Sequence, residues 1–240
     1  MKTVGLIGGL GPKTTSRFYL ELISLCQKYN KDSRPPILIY SIPLPYSVER
    51  RSIVDGGEEE KCIPFLIDAA KRLEKAGADF IVMPCNSLHA FIKEIRNSVK
   101  IPILNILEEV IDFLKEKNIS EVGLISTSIT IKRNLYKEYL SSSNIGLFIP
   151  NKTQQSELGK IIHRLVLNKY IKSDRNKLLN IVSDFKKRGV KHVILACTDL
   201  QLLMPHKTDL RVYDTMKIFV EATFKAMSKI KGLSSSNSIK

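Results

Sequence analysis

The sequence predicts an α/β protein of two similar lobes, each built on a mostly parallel sheet, the lobes related by a pseudo-twofold axis with the active site at their interface. Three observations predict it. Short β-branched runs alternate with segments of helical periodicity along all 240 residues. The two halves repeat one another at a fixed offset. Each half carries a cysteine just past the carboxyl end of a strand, where open α/β sheets bind ligands.

The elements follow in order. Residues 4–7, an unbroken apolar run around Gly5, read as the first strand, and a glycine turn through Gly8, Gly9, Gly11 and Pro12 leads into a helical segment at 15–28. A second strand is expected at 37–40, a helix at 61–75, and strands at 80–83 and 101–104. The second half repeats the plan with a helix at 108–117, a strand at 122–125, helices at 157–168 and 175–187, and a strand at 192–195.

Leu73, Lys75, Gly77, Ile81, Val82, Met83, Cys85 and Leu88 fall on Phe185, Lys187, Gly189, Val193, Ile194, Leu195, Cys197 and Leu200, every pair 112 positions apart. Both stretches read as helix, glycine stop, strand, cysteine, and the glycines suit a left-handed helix cap. Val4-Gly5-Leu6-Ile7 matches Val122-Gly123-Leu124-Ile125 at an offset of 118, so the second half is six residues shorter between these landmarks. A duplicated lobe explains this. The expected division is 1–105 with 208–231 as one lobe and 106–207 as the other, followed by a disordered serine-rich tail at 232–240.

With 43% hydrophobic and 26% charged residues, the composition is that of a soluble globular protein. No apolar run reaches the roughly 18 residues of a membrane span, and the first nine residues read as a strand and not a leader, so the expected location is cytoplasmic, with no membrane partner. The net charge of +14 raises a polyanion partner or the steering of a small anion, but the basic residues are dispersed and no nucleic-acid motif stands out. Pro12 between Gly11 and Lys13 breaks the spacing of a phosphate loop, and no dinucleotide fingerprint is complete. The four cysteines, Cys26, Cys62, Cys85 and Cys197, form no C-x-x-C pair, so no metal site is expected and the thiols should be free.

Cys85 is followed by Asn86 and Ser87, and Cys197 by Thr198 and Asp199, all residue types that start helices. A thiol before a helix start meets unpaired N–H groups and the positive helix end, which lower its pKa toward neutrality. Two such thiols flanking one cleft make a matched acid and base on opposite faces of a bound carbon acid, the arrangement that inversion at carbon requires. Cys26 and Cys62 have no matched partner and read as packing.

Pro84-Cys85-Asn86-Ser87-Leu88-His89 resembles the P-C-N-T-x-H motif of the aspartate/glutamate racemase family, and Ala196-Cys197-Thr198-Asp199-Leu200 is similar to its G-C-T-E-L motif. Gly8-Gly9-Leu10-Gly11-Pro12 resembles its G-G-M-G-P opening, and the first motif is closer to the aspartate racemase branch. The resemblance implies two Rossmann-like lobes, no cofactor, a homodimer, and a small acidic amino acid as substrate, L- and D-aspartate before glutamate. It makes Cys85 and Cys197 the catalytic thiols, with Cys197 taking the proton of the L isomer and Cys85 that of the D isomer. Asn86, Ser87 and Thr198 would hold the α-carboxylate, with Leu10, Gly11, Thr127 and Asp199 completing the cleft. An acidic side chain needs a cation, and Arg50 in the run 46–51 is the candidate. His89 could touch the cleft or make a structural hydrogen bond. Other expectations are a one-cysteine isomerase or decarboxylase of a small dicarboxylate on the same scaffold, or an inactive protein that binds anions or nucleic acid.

Overall fold

The structure, a computed structural model, describes residues 1–29, 33–51, 57–205 and 208–228. The expected tail and His206 lie outside the described residues.

Two parallel sheets form. The first has the order β2-β1-β3, with β1 at Val4–Gly8, β2 at Ile37–Ser41 and β3 at Phe80–Val82. The second has the order β5-β4-β6-β7, with β4 at Glu121–Ser126, β5 at Gly146–Phe148, β6 at His192–Ala196 and β7 at Arg211–Asp214. β1 and β4 hold the same inner position, and β3 and β6 pair beside them. β1 and β3 are buried along their length and β4 is buried after Glu121, which is why they read as continuous apolar runs rather than alternating ones.

The expected strand at 101–104 is reduced to one bridge, Ile81 opposite Ile103. Ile81 donates to the Pro102 carbonyl and Leu104 to the Ile81 carbonyl, but Pro102 has no N–H with which to extend a ladder. In the second lobe the corresponding place is filled by β7, paired with β6 from His192–Arg211 to Leu195–Asp214. Residues 211–214 therefore belong to the second sheet, against the expected assignment of 208–231 to the first lobe.

The helices are α1 (Pro12–Tyr29), α2 (Tyr46–Arg50), α3 (Ile63–Lys75), α4 (Ile92–Arg96), α5 (Ile106–Glu116), α6 (Ser128–Lys132), α7 (Leu135–Ser142), α8 (Lys152–Val166), α9 (Lys172–Lys187) and α10 (Thr215–Met227). α3 and α9 stop where the repeat places Gly77 and Gly189, whose φ values of +93° and +83° turn the chain back toward β3 and β6. α10 is buried on most of its circumference and packs on α1 and α5, with the Phe18 and Phe219 rings 5.9 Å apart. One apolar cluster runs from Val4 and Phe18 through Phe219 to Val122 and Ile194, so the lobes share a core as well as a cleft. Among the described residues no helix is long and apolar enough to cross a membrane.

Candidate active site

Each sheet delivers its cysteine in the same way. β3 ends at Val82, Met83 and Pro84 follow, and Cys85 leads into a 3-10 turn at Ser87–Phe91. β6 ends at Ala196, and Cys197 leads through Thr198 and Asp199 into a 3-10 turn at Leu200–Leu202. Neither Asn86 nor Asp199 makes a side-chain capping bond, so the expected helix starts are short turns.

Both cysteines line one cavity of about 70 Å³, room for a single small molecule. Leu10, Gly11, Asn86 and Ser87 reach it from the first lobe, and Thr127, Thr198 and Asp199 from the second. Every residue expected at the site whose side chain is described stands on this wall; Arg50 ends α2, and its side chain lies outside the described residues.

The walls are tied across the lobes by hydrogen bonds. The Ser87 and Thr127 hydroxyls meet at 2.7 Å, and Thr127 also caps α6 by accepting from the Thr130 N–H. Thr14 on α1 donates its hydroxyl to Asp199 at 2.8 Å, and Thr198 donates to the Pro84 carbonyl at 3.4 Å. Lys13 reaches Asn168 at the rim. Asn86 is largely committed: its Oδ1 accepts from the buried Tyr136 hydroxyl at 2.6 Å, and its Nδ2 donates to Thr215 at 3.0 Å. One amide hydrogen of Asn86 is left for a ligand.

The thiols differ from expectation in their acidity. Burial pushes Cys85 up to about 12, and the Asp199 charge adds to the rise. Cys197 is raised too, by burial first and Asp199 next. N–H groups do reach the sulfurs, from Leu88 and Ser87 to Cys85 and from Asp199 and Leu200 to Cys197, and they act in the expected direction. Two short turns supply too few donors to offset the loss of water around the sulfurs. The net direction for both thiols is toward the protonated form.

His89 is a structural post. Its Nε2 accepts the Ile106 N–H at 3.3 Å, which leaves the proton on Nδ1 to be donated to the Cys85 carbonyl at 2.7 Å. Burial depresses its pKa to about 4, so the ring is neutral.

Sequence reasoning missed Leu44, Glu49, Cys62, Leu88, Ile129, Ile162 and Val166, which complete the wall. Cys62 reads as packing because no motif surrounds it, yet it heads α3 beneath the cavity. Glu49 sits in the run searched for a cation, and only the folded α2 shows that it lines the cavity. The helical periodicity of α8 gives its apolar face, but not that Ile162 and Val166 on it border the cavity. Among the described residues no three His, Cys, Asp or Glu side chains gather to hold a metal ion.

With this geometry in view, comparison with known proteins is specific. A broad specificity amino-acid racemase of Bacillus subtilis (strain 168) is 28% identical over 225 residues, covering 92% of this chain and 96% of that protein. An aspartate racemase from Picrophilus torridus superposes with a TM-score of 0.78 at 27% identity, over 95% of this chain and 94% of that one. An aspartate racemase homologue from Pyrococcus horikoshii OT3 gives 0.77 at 26% identity, over 95% and 100%. The family model described as Asp/Glu/Hydantoin racemase matches residues 7–223, so the chain belongs to that family, among relatives that are amino-acid racemases.

Proposed function

We propose that the protein interconverts the L and D forms of an amino acid by two-base proton transfer at the α-carbon, using Cys85 and Cys197 and no pyridoxal cofactor. The observation that carries this is the presence of both cysteines on the wall of one small cavity, one from each lobe, at matched positions of a repeated fold.

One thiolate takes the α-proton, so that the C–H bond breaks and an S–H bond forms. The electron pair left on carbon is delocalised into the α-carboxylate. The opposite thiol then gives its proton to the other face and becomes the thiolate. No proton is gained or lost, and the two sulfurs exchange roles. The hydroxyls of Ser87, Thr127 and Thr198 and the remaining Asn86 hydrogen suit the carboxylate as charge builds on it. The resemblance assigns abstraction from the L isomer to Cys197 and from the D isomer to Cys85.

Thiols whose pKa is raised by burial require that binding help create the base, one of them releasing its proton to solvent as substrate enters. A substrate α-ammonium brings a positive charge into a desolvated space lined by Asp199, which favours a thiolate over a thiol. The aspartate expectation depends on a cation for the side-chain carboxylate, and Arg50 is the residue it would need. We therefore assign the reaction to amino acids as a class.

Incubation in heavy water with a panel of amino acids, a metal chelator and no added cofactor tests the assignment. Substrate should gain α-deuterium and lose optical purity. Cys85→Ser and Cys197→Ser should each lower the racemisation rate by about a hundredfold or more. Absence of α-proton exchange from every amino acid tried would falsify it.

A further inference from the structure

The described wall of the cavity carries carboxyl groups of both lobes. Two carboxylates, Glu49 and Asp199, line it, and among the described residues no lysine or arginine does. Asp199 stands two residues after Cys197 and is held by the Thr14 hydroxyl at 2.8 Å. Lys13 acts on Asp199 from a distance, but its ammonium is at the exposed rim, bonded to Asn168.

Glu49 is different. It is half-buried on α2, and among the described residues its carboxylate has no hydrogen bond or ion pair to another side chain. Burial raises its pKa, and the Asp199 charge raises it further, so the two carboxylates sense one another through the cavity. The same wall includes six aliphatic side chains: Leu10, Leu44, Leu88, Ile129, Ile162 and Val166.

A carboxylate with no partner among the described residues, in a wall rich in aliphatic side chains, is complementary to a side chain with a methylene stem and a cationic head. A third carboxylate brought into the same space would be repelled by two others in a medium that screens poorly. Building on the racemase reading, we propose that Glu49 sets substrate choice: the site takes amino acids with a basic side chain, whose cation pairs with Glu49 while the α-ammonium lies near Asp199, and it rejects aspartate and glutamate.

Initial racemisation rates on L-lysine, L-ornithine, L-arginine, L-leucine, L-alanine, L-aspartate and L-glutamate at one pH decide this. Lysine or ornithine should exceed both acidic amino acids in kcat/KM by about tenfold or more. Glu49→Gln should reduce the ratio of lysine to leucine turnover by about tenfold, chiefly through the KM for lysine. Aspartate or glutamate as the fastest substrate overturns the specificity and leaves racemisation standing. No turnover of any amino acid overturns both. An equal loss on lysine and leucine in Glu49→Gln makes Glu49 structural and also overturns the proposal. The wild-type panel decides the matter where the variant fails to fold.

Discussion

Thr14, on the first helix of one lobe, donates its hydroxyl at 2.8 Å to Asp199, which follows the cysteine of the other lobe. Burial raises the pKa of Asp199, and that bond and the charge of Lys13 act against the rise. The ionised carboxylate raises the pKa of both Cys85 and Cys197. In the proposed two-thiol mechanism a thiolate must form before a proton can leave carbon, so wild-type kcat/KM should climb with pH from neutrality into the alkaline range. Asp199→Asn removes a negative charge beside both sulfurs, so the thiolates become easier to form. The rising limb of its kcat/KM profile should then lie at lower pH than that of the wild type. A limb that stays in place, or moves to higher pH, contradicts the electrostatic account.

Tyr136 and Asn86 form the second cross-lobe bond with a measurable consequence. Tyr136 is fully buried, and its hydroxyl is the hydrogen bond shown for Asn86 Oδ1. Tyr136→Phe keeps the ring and leaves that oxygen desolvated, which costs about 1–3 kcal/mol. The same change frees the Asn86 amide to rotate beside Cys85, so kcat should fall with little effect on KM. In a double-mutant cycle with Asn86→Ala, denaturant unfolding should give a coupling of about 1 kcal/mol or more. Additive losses would mean that the bond contributes nothing.

How far the site was legible depends on the range of the forces involved. Strand positions and the landing points of Cys85 and Cys197 are local, because a buried strand needs an apolar run and the repeat displays it twice. The edge strands β5 and β7 are short and partly exposed, so nothing in their sequence separates them from loop. Thiol acidity was misread because a helix start is a neighbour effect, whereas burial of Cys85 and Cys197 is imposed by the closure of two lobes. Asn86 reads as a free ligand until Tyr136, 50 residues away, and Thr215, 129 away, take its amide. Glu49 faces the cavity by the direction of α2, which periodicity over five residues cannot give.

The repeat itself makes a packing prediction. A Cβ on Gly123 would lie 2.9–3.1 Å from the Phe185 ring, and one on Gly5 would lie 3.1 Å from the Leu73 Cβ. The helix residue that the offset pairs, Leu73 with Phe185, thus crosses the inner strand over a glycine in both lobes. Phe185 is buried, and its ring cannot swing away at low cost. Gly123→Ala should destabilise the fold by about 1–3 kcal/mol in denaturant unfolding. Adding Phe185→Leu, the size of its counterpart, should make the double variant more stable than the sum of the single losses. Strict additivity would show that the glycine is not there for the ring.

His89 predicts an acid limit to stability. Its ring is buried between the Cys85 carbonyl and the Ile106 N–H, and burial depresses its pKa to about 4 against 6.5 for a free histidine. A depressed histidine binds its proton less readily folded than unfolded. Its contribution is therefore complete above pH 6.5 and is lost as the pH falls from 6.5 toward 4, at about 1.4 kcal/mol for each pH unit. Glu109, Glu221 and Asp214 have raised pKa values and act in the opposite direction, so the total change in the wild type mixes several groups. Comparison with His89→Gln isolates the ring. The variant should be less stable at pH 7, because glutamine spans the two backbone partners poorly. Between pH 7 and pH 5 the wild type should lose about 2 kcal/mol more than the variant in denaturant unfolding. Parallel losses would show that the imidazole is as easily protonated in the folded protein as in the unfolded chain, and that its neutrality is not what holds the Cys85 loop to α5.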